Sequence, residues 1–261
     1  MMARNEGDTA QHPAQDRLFE RESGVARMPT AVVTGAGRGI GAEVARELAA
    51  DGWGVFAVVR DPAAARTTFD GVPAVQVISA DISSAAEIES AARAVATMTA
   101  SVDLLVANAA QFAPWDETVA TADLDLVRDI LAVNVVGTWQ TIRAFLPALR
   151  AAGNARIVIV GSGGGSHGDP QFGIATHPGA ASYAVSKAAV HALARKAALE
   201  LSEEGIDVFA VDPGLTATAP GMAEMGAGPP RDGARSVLAP ILHPGSVERG
   251  SLTRDGRPLP W

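Results

Sequence analysis

The sequence predicts a single-domain α/β fold in which helices cover both faces of a parallel β-sheet. Short apolar segments alternate with longer, Ala-rich segments along the 261 residues. Continuous apolar runs are typical of parallel strands that are buried on both faces. A glycine-rich turn follows the first apolar run, and a chain of this length suits one large core. We therefore expect a doubly wound parallel sheet whose ligands bind at the carboxyl ends of the strands.

The order of the predicted elements follows this alternation. Strands are predicted at residues 30–34, 54–59, 73–79, 102–107, 156–161 and 206–211. Amphipathic helices are predicted around residues 42–50, 84–97, 123–151 and 183–204. Residues 1–28 are polar, charged and unperiodic, so we predict a mostly disordered tail that precedes a domain at 29–261. The tail lacks the apolar stretch of a secretory signal, and its acidic residues disfavour an organelle transit peptide.

Composition excludes several classes of protein. The net charge of −8 disfavours nucleic acid, and no apolar run is long enough to span a membrane. The absence of cysteine excludes disulfides and a thiol nucleophile, and it suits a cytoplasmic location. The five histidines lack metal-ligand spacing. We expect His167, His177 and His191 to be surface or hydrogen-bonded structural residues.

A glycine-rich turn follows the first predicted strand. Its sequence is Gly35-Ala-Gly-Arg38-Gly39-Ile40-Gly41, and the predicted helix begins directly after it. Glycines let the backbone turn tightly and approach a pyrophosphate, which then lies at the positive helix N-terminus. The alternative is a tight turn without a ligand.

Tyr183 is the only tyrosine of the chain, and Lys187 is one of only two lysines. Side chains four residues apart lie on the same face of a helix. The ammonium is therefore expected to lower the phenol pKa from its usual value of about 10, towards that of a working proton donor or acceptor. The alternative is a packed ring beside a solvated lysine.

Together the two motifs resemble the short-chain dehydrogenase/reductase family, whose TGxxxGxG loop and YxxxK pair they match in order. The resemblance covers about residues 29–261 and implies a Rossmann-type fold; the ending RDGRPLPW is similar to carbonyl-reductase-type members. Ala110 stands where the family usually has a third-position Gly in its NAG turn. Other family positions are matched by Asp81 and Ile82 at the adenine, Asn108 and Ala109 after the fourth strand, Asn134, Ser162, and Pro213, Gly214 and Thr218 at the nicotinamide.

The resemblance implies a role for each of four residues. Tyr183 would be the general acid, and Lys187 would also bind the nicotinamide ribose. Ser162 would donate a hydrogen bond to the substrate oxygen, and Asn134 would hold a water that links Lys187 to solvent. The alternatives are a structural amide for Asn134 and an ordinary strand-end turn for Ser162.

Two segments depart from the family pattern or bear on the substrate. The Gly- and Pro-rich loop at 163–182 is longer than in common members, and if it displaces Ser162, then Ser166 or Ser182 becomes the rival. Residues 215–234 resemble the family's mobile lid. Their Met222 and Met225 suggest an apolar or aromatic carbonyl substrate.

Charge favours NADP(H) over NAD(H) as the cofactor. The second strand ends in apolar Val59, where NAD-preferring members carry an acid, and Arg60 follows. Arg38 supplies a second guanidinium for a 2′-phosphate. Asp61 is the complication, because it could neutralise Arg60 or approach the 2′ position itself.

Three functions follow from these observations. The leading one is NADPH-dependent reduction of a ketone or aldehyde. The second is an NAD(P)-dependent alcohol dehydrogenase that works in the oxidative direction, and the third is a non-catalytic dinucleotide sensor. Many family members are tetramers while some carbonyl-reductase-like members are monomers, so a homo-oligomer, either a dimer or a tetramer, is one expectation among others.

Overall fold

The helices and strands follow one another in an alternating order. The computed structural model describes residues 27–218, 221–224, 226–245 and 247–260, so residues 1–26 of the predicted tail and Met225 of the predicted lid lie outside the described residues. The strands are β1 (Thr30–Thr34), β2 (Gly54–Val59), β3 (Val75–Ser79), β4 (Leu104–Ala107), β5 (Ala155–Val160), β6 (Ile206–Val211), β7 (Leu252–Arg254) and β8 (Arg257–Pro258). The α-helices are α1 (Gly39–Ala50), α2 (Pro62–Thr68), α3 (Ala85–Met98), α4 (Leu124–Leu131), α5 (Thr138–Ala152), α6 (Ala181–Leu201) and α7 (Pro230–Leu242).

The described strands form one eight-stranded sheet in the order β3-β2-β1-β4-β5-β6-β7-β8. Strands β1 to β7 pair in parallel, and β8 pairs antiparallel with β7. The strand order reverses between β1 and β4, which is where a doubly wound sheet opens a crevice for ligands. The prediction of a doubly wound parallel sheet is confirmed.

Two buried cores lie on opposite faces of the sheet. Along β5, Ile157 and Ile159 belong to one core, while Val158 and Val160 belong to the other. Helices α3, α5 and α6 pack on the first core, and α1, α2 and α7 pack on the second. Burial on both faces explains why the strands are apolar without alternation.

The predicted helix at 123–151 is divided into three parts. A π-helical segment, Ala132–Gly137, separates α4 from α5. Gly137 packs directly on Ile82: a Cβ on this glycine would lie 3.0 Å from the Cδ1 atom of Ile82. The wider turn therefore coincides with a site where a helix approaches the loop after β3, as π-segments often do near functional sites.

Four elements are not predicted by the sequence patterns: α2, α7, β7 and β8. Helix α2 has only seven residues, which is too short for a clear period. Helix α7 contains Gly233 and Pro240 and begins at Pro230, inside the segment predicted as a lid, whose role stays a prediction. Within the described ranges, no helix is both long and apolar enough to cross a membrane.

Candidate active site

The glycine turn joins β1 to the N-terminus of α1. Gly35 and Gly39 have φ angles of +66° and +60°, in the left-handed region that favours glycine. A Cβ on Gly41 would lie 2.4 Å from the Nδ2 atom of Asn108, so only glycine fits there. The first turn of α1 carries no acidic side chain. Its positive end is therefore available to an anionic group.

Asn108 fastens the ends of β1 and β4 to each other. Its Nδ2 donates to the Thr34 carbonyl at 2.9 Å, and its backbone N–H donates to the Thr34 hydroxyl at 3.1 Å. The backbone N–H of Ala109 donates to the same hydroxyl at 3.2 Å. These bonds fix the two strand ends that border the crevice.

Two exposed arginines lie beside the glycine turn. Arg60 follows β2 directly, and Arg38 donates to the carbonyl of Thr218. Asp61 is the N-cap of α2, and its Oδ1 accepts from the backbone N–H groups of Ala63 at 3.0 Å and Ala64 at 3.1 Å. Its carboxylate is thus bonded to the start of its own helix, which disfavours the alternative in which it approaches a ribose.

Asp81, at the end of β3, is similarly bonded. Its Oδ1 accepts from the backbone N–H of Ser83 at 2.9 Å and from the Ser83 hydroxyl at 2.7 Å. The next residue, Ile82, is buried and packs against the π-helical segment. The two predicted adenine contacts are therefore held rigidly at the same edge of the sheet as the glycine turn.

Tyr183 and Lys187 lie in the first turns of α6. The Lys187 side chain is only 3% exposed, its Nζ donates to the Val160 carbonyl at 2.7 Å, and the same atom lies 5.6 Å from the centre of the Tyr183 ring. Burial lowers the pKa of Lys187 to about 8. Burial raises the pKa of Tyr183 to about 12, although a hydrogen bond with Ser162 acts in the opposite direction. The phenol pKa thus lies above its usual value and not below it as expected, because desolvation dominates and the charge of Asp212 acts in the same direction.

Ser162 lies just beyond β5, and its hydroxyl is near enough to Tyr183 to act on the pKa of the phenol. Its hydroxyl also accepts from the backbone N–H of Gly164 at 3.1 Å. The two rivals are engaged elsewhere: Ser166 donates to the Pro260 carbonyl, and Ser182 donates to the Glu117 carboxylate. The long loop therefore leaves Ser162 beside the tyrosine.

His191 on α6 binds the backbone of Ser162. The sequence analysis did not predict this contact. The imidazole is fully buried, and its Nε2 accepts from the backbone N–H of Ser162 at 3.2 Å. The ring also interacts with the backbone of Gly165. A Cβ on Gly161 would lie 2.6 Å from the imidazole Nε2. The four-residue spacing from Lys187 to His191 was the available signal, since it puts both on the face of α6 that carries Tyr183.

Asn134 lies in the π-helical segment. Its Oδ1 accepts from the backbone N–H of Gln111 at 2.7 Å, and its Nδ2 donates to the Gln111 carbonyl and the Ser186 hydroxyl, both at 2.9 Å. These bonds join the loop after β4 to α6. The structure thus brings Asn134 to the residue before Lys187, and the water-mediated link to the ammonium stays a prediction.

Glu117 caps the helix that carries Tyr183. The N-cap position of α6 is Ala180, at φ +48°, which offers no capping side chain. The buried Glu117 carboxylate accepts from the Ser182 backbone N–H at 2.8 Å and from the Ser182 hydroxyl at 2.7 Å. A carboxylate at a helix N-terminus is stabilised by the unpaired N–H groups of the first turn. Because Glu117 is 65 residues away in sequence, no local pattern could reveal it.

A cavity of about 150 Å³ opens between these groups and the lid segment. The Phe112 ring centre lies 4.3 Å from that of Tyr183 and 4.8 Å from that of Trp115. The loop at 163–182 and the lid add further apolar wall. Other residues that line the cavity include Ile40, Ser162, Phe172, Ile174, His177, Pro213, Gly214, Thr218, Met222 and Arg254. The cavity is thus mostly apolar, and the hydroxyls of Ser162 and Tyr183 lie at its wall.

Comparison with known proteins identifies the family. A family model described as short chain dehydrogenase matches residues 29–225. Galactitol 2-dehydrogenase (L-tagatose-forming) of Cereibacter sphaeroides is 39% identical over 192 residues, which are 72% of this chain and 71% of that protein. The rhamnolipids biosynthesis 3-oxoacyl-acyl-carrier-protein reductase of Pseudomonas aeruginosa is 34% identical over 193 residues, 70% of this chain and 71% of that protein.

A solved structure supports the same relationship. The Pseudomonas aeruginosa RhlG/NADP active-site complex is 29% identical and superposes with a TM-score of 0.75, covering 86% of this chain and 93% of that one. The matched family region contains the glycine turn, Asn134, Ser162, Tyr183 and Lys187 in the order that the sequence predicts. The chain is therefore an oxidoreductase that belongs to the short-chain dehydrogenase/reductase family.

Proposed function

We propose that this protein is an NADPH-dependent carbonyl reductase that reduces an apolar ketone or aldehyde to an alcohol. The observation that carries the proposal is that Ser162 and Tyr183 line one apolar cavity, with the buried Lys187 ammonium 5.6 Å from the centre of the tyrosine ring. The glycine turn and Thr218 border the same crevice, so a dinucleotide held there would reach the cavity.

The residues around the crevice fit a nicotinamide dinucleotide. The N-terminus of α1 would hold the pyrophosphate, with Gly35, Gly39, Ile40 and Gly41 letting the chain approach it. Asp81, Ile82, Asn108 and Ala109 would border the adenosine half, and Pro213, Gly214 and Thr218 the nicotinamide half. When bound, the cofactor supplies the hydride.

The 2′-phosphate of NADP(H) would lie against Arg38 and Arg60. Asp61 supports this preference, because its carboxylate is already engaged by the first amides of α2. Guanidinium groups bind phosphate through paired, charge-assisted hydrogen bonds. The structural relative described as an NADP complex adds support from comparison.

The state of Tyr183 favours reduction. With a pKa raised to about 12 by burial, the phenol keeps its proton at neutral pH and can give it to a carbonyl oxygen. Ser162 would donate a hydrogen bond to the same oxygen and stabilise its developing charge. The Lys187 ammonium would stabilise the phenolate that remains, and Asn134 would hold the water that resupplies the proton. The oxidative alternative would instead need the phenol to lose its proton before the reaction.

A fluorescence titration tests the cofactor. Binding of NADPH and NADH is followed by nicotinamide emission for the wild type and for Arg60→Ala. We expect the wild type to bind NADPH more tightly, and the variant to lose about tenfold or more in NADPH affinity, since a charge-assisted hydrogen bond contributes about 1.5–3 kcal/mol. NADH affinity should change little. The matched control is Arg143→Ala, which removes an exposed arginine from α5.

Equal losses for the two cofactors would contradict the 2′-phosphate contact. Tight binding of NADPH without turnover of any ketone or aldehyde would favour the non-catalytic sensor. Preferential binding of NADH would favour the alcohol dehydrogenase.

A further inference from the structure

We propose that Arg254 determines substrate specificity by joining the C-terminal strand to the 163–182 loop and thereby holding the apolar wall that selects bulky, uncharged carbonyl compounds. This inference rests on the proposed function and deepens it. It gives a role to the loop whose unusual length the sequence analysis could not explain.

Arg254, at the end of β7, is shared by two buried carboxylates. Its Nε donates to Oδ2 of Asp212 at 2.7 Å, and its Nη2 donates to Oδ2 of Asp169 at 2.6 Å. The same Nη2 also contacts the Asp212 carboxylate. Asp169 and Asp212 are 2% and 3% exposed, so one guanidinium compensates both charges. Removing the link leaves a buried charge without its partner, which is costly.

Asp169 connects Arg254 to the wall of the cavity. While Oδ2 faces Arg254, its Oδ1 accepts from the backbone N–H groups of Gln171 at 2.8 Å and Phe172 at 2.7 Å. Phe172 and the nearby Ile174 line the cavity. One carboxylate therefore fixes the turn that presents these two apolar side chains.

A second contact joins the same two segments. The Ser166 hydroxyl donates to the Pro260 carbonyl, 94 residues later in the chain. A Cβ on Gly168 would lie 2.4 Å from the Cβ of Pro260, so the C-terminal residues pack closely on the loop. The loop and the chain end thus form one unit beside the site.

The ion pair also lies against the turn that carries Ser162. A Cβ on Gly163 would lie 2.6 Å from Nη2 of Arg254 and 2.7 Å from Oδ2 of Asp169. The charged groups occupy the space that a side chain would need. A shift of the ion pair would therefore change the positions of both the cavity wall and the turn that carries Ser162.

The charge of this cluster argues for an uncharged substrate. Arg254 lines the cavity, but its guanidinium is already paired with Asp169 and Asp212. Its charge is therefore compensated within the protein and gives an anionic substrate little attraction. Phe112, Trp115, Phe172 and Ile174 offer an aromatic and aliphatic surface instead, which suits a bulky neutral ketone.

The test uses Asp169→Asn in the full-length protein. An amide cannot replace both oxygens of the Asp169 carboxylate. If its oxygen accepts from the backbone N–H groups of Gln171 and Phe172, its amino group faces the Arg254 guanidinium, which is also a donor. NADPH-dependent reduction is measured with acetophenone as the bulky ketone and 2-butanone as the small one. We expect kcat/KM for acetophenone to fall about tenfold or more relative to that for 2-butanone, a size typical of lost apolar pocket contacts. NADPH affinity should not change.

The matched control is Glu204→Gln, which removes a carboxylate that binds Arg150 far from the cavity. Ser166→Ala removes the bond to Pro260 and the two bonds that this hydroxyl accepts from the backbone N–H groups of Gly168 and Asp169. It keeps the ion pair with Arg254, so it should shift the ratio of the two ketones in the same direction by less. It provides a second test if Asp169→Asn does not fold.

Several results would overturn the inference. Equal losses for both ketones, or no change in either variant, would show that the bridge does not select substrate size. Faster reduction of a 2-oxo acid than of acetophenone by the wild type would show that Arg254 binds an anion. If the wild type reduces neither ketone, the proposed function fails separately. Calorimetric binding of acetophenone to the wild type and to Asp169→Asn then decides the role of the bridge, which requires weaker binding in the variant.

Discussion

At the scale of single residues, the pKa values of Tyr183 and Lys187 are displaced in opposite directions by the same cause. Burial disfavours the charged form of each group, so the phenol holds its proton more tightly and the ammonium holds its proton less tightly. A proton donor and a cation that stabilises the product phenolate are what the reductive direction needs. The pair therefore suits reduction near neutral pH.

The pH dependence of reduction follows from Lys187. Its pKa is lowered to about 8, so the ammonium is lost as the pH rises through that value while Tyr183 stays protonated. We expect kcat/KM for NADPH-dependent reduction to be highest below about pH 8 and to fall about tenfold per pH unit above it. Initial rates between about pH 6 and pH 10 check this.

Lys196 provides the control for that profile, since it is the other lysine of the chain and is exposed on α6. Lys196→Met should keep the alkaline fall. A wild-type rate that stays constant up to pH 10 would show that the charge of Lys187 is not required.

At the scale of elements, α6 carries Tyr183, Lys187 and His191 on one face, and two buried contacts hold it in place. Glu117 caps its first turn, and His191 binds the backbone of the Ser162 turn. The helix therefore aligns the two hydroxyl groups of the site with each other. Burial, followed by the charge of Lys187, lowers the pKa of His191 to about 4.

His191 should make the protein less stable in acid. As the pH falls below about 6.5, the unfolded chain binds a proton on this imidazole, whereas the folded protein does so only near pH 4. Between pH 7 and pH 5, His191 alone should reduce the free energy of unfolding by about 2 kcal/mol. Urea unfolding at the two pH values measures the loss.

His191→Gln should remove that part of the pH dependence, and His167→Gln, which changes an exposed loop histidine, should retain it. The same loss in His191→Gln as in the wild type would mean that His191 takes up its proton as easily in the folded state as in the unfolded one.

The strands were the most predictable elements. Because each is buried on both faces, its sequence is a continuous apolar run. Those at 30–34, 54–59 and 206–211 have the bounds that the sequence predicts. Helix α7 could not be predicted, since its Gly233 and Pro240 are typical of loops. Tertiary packing stabilises it: Val237, Leu238 and Ile241 are all in the second core.

At the scale of the whole molecule, the glycine turn, Asp81, Asn108, Ser162 and Pro213 follow the carboxyl ends of parallel strands, as the topology requires. Asn134, Tyr183 and Lys187 reach the same site from helical segments. The contacts that hold them are long-range and left no local pattern. Glu117 with Ser182, and Arg254 with Asp169, join residues 65 and 85 positions apart. The sequence could therefore indicate the reacting groups but not the shape of the cavity.

Two whole-molecule predictions from the sequence stay predictions, namely the cytoplasmic location and a homo-oligomer. Exposed apolar side chains occur on the long helices, including Trp139 on α5 and Leu199 on α6. A measurement of mass in solution by light scattering distinguishes monomer, dimer and tetramer.

The central claim is that Tyr183 delivers the proton when NADPH reduces a carbonyl group. Its most direct test is the rate of NADPH oxidation with acetophenone for the wild type and for Tyr183→Phe, with NADPH affinity measured in parallel. We expect the variant to lose about a hundredfold or more in kcat, because general acid catalysis contributes about 10²–10⁴-fold, while its NADPH affinity stays close to that of the wild type. A variant that keeps most of its turnover would contradict the mechanism.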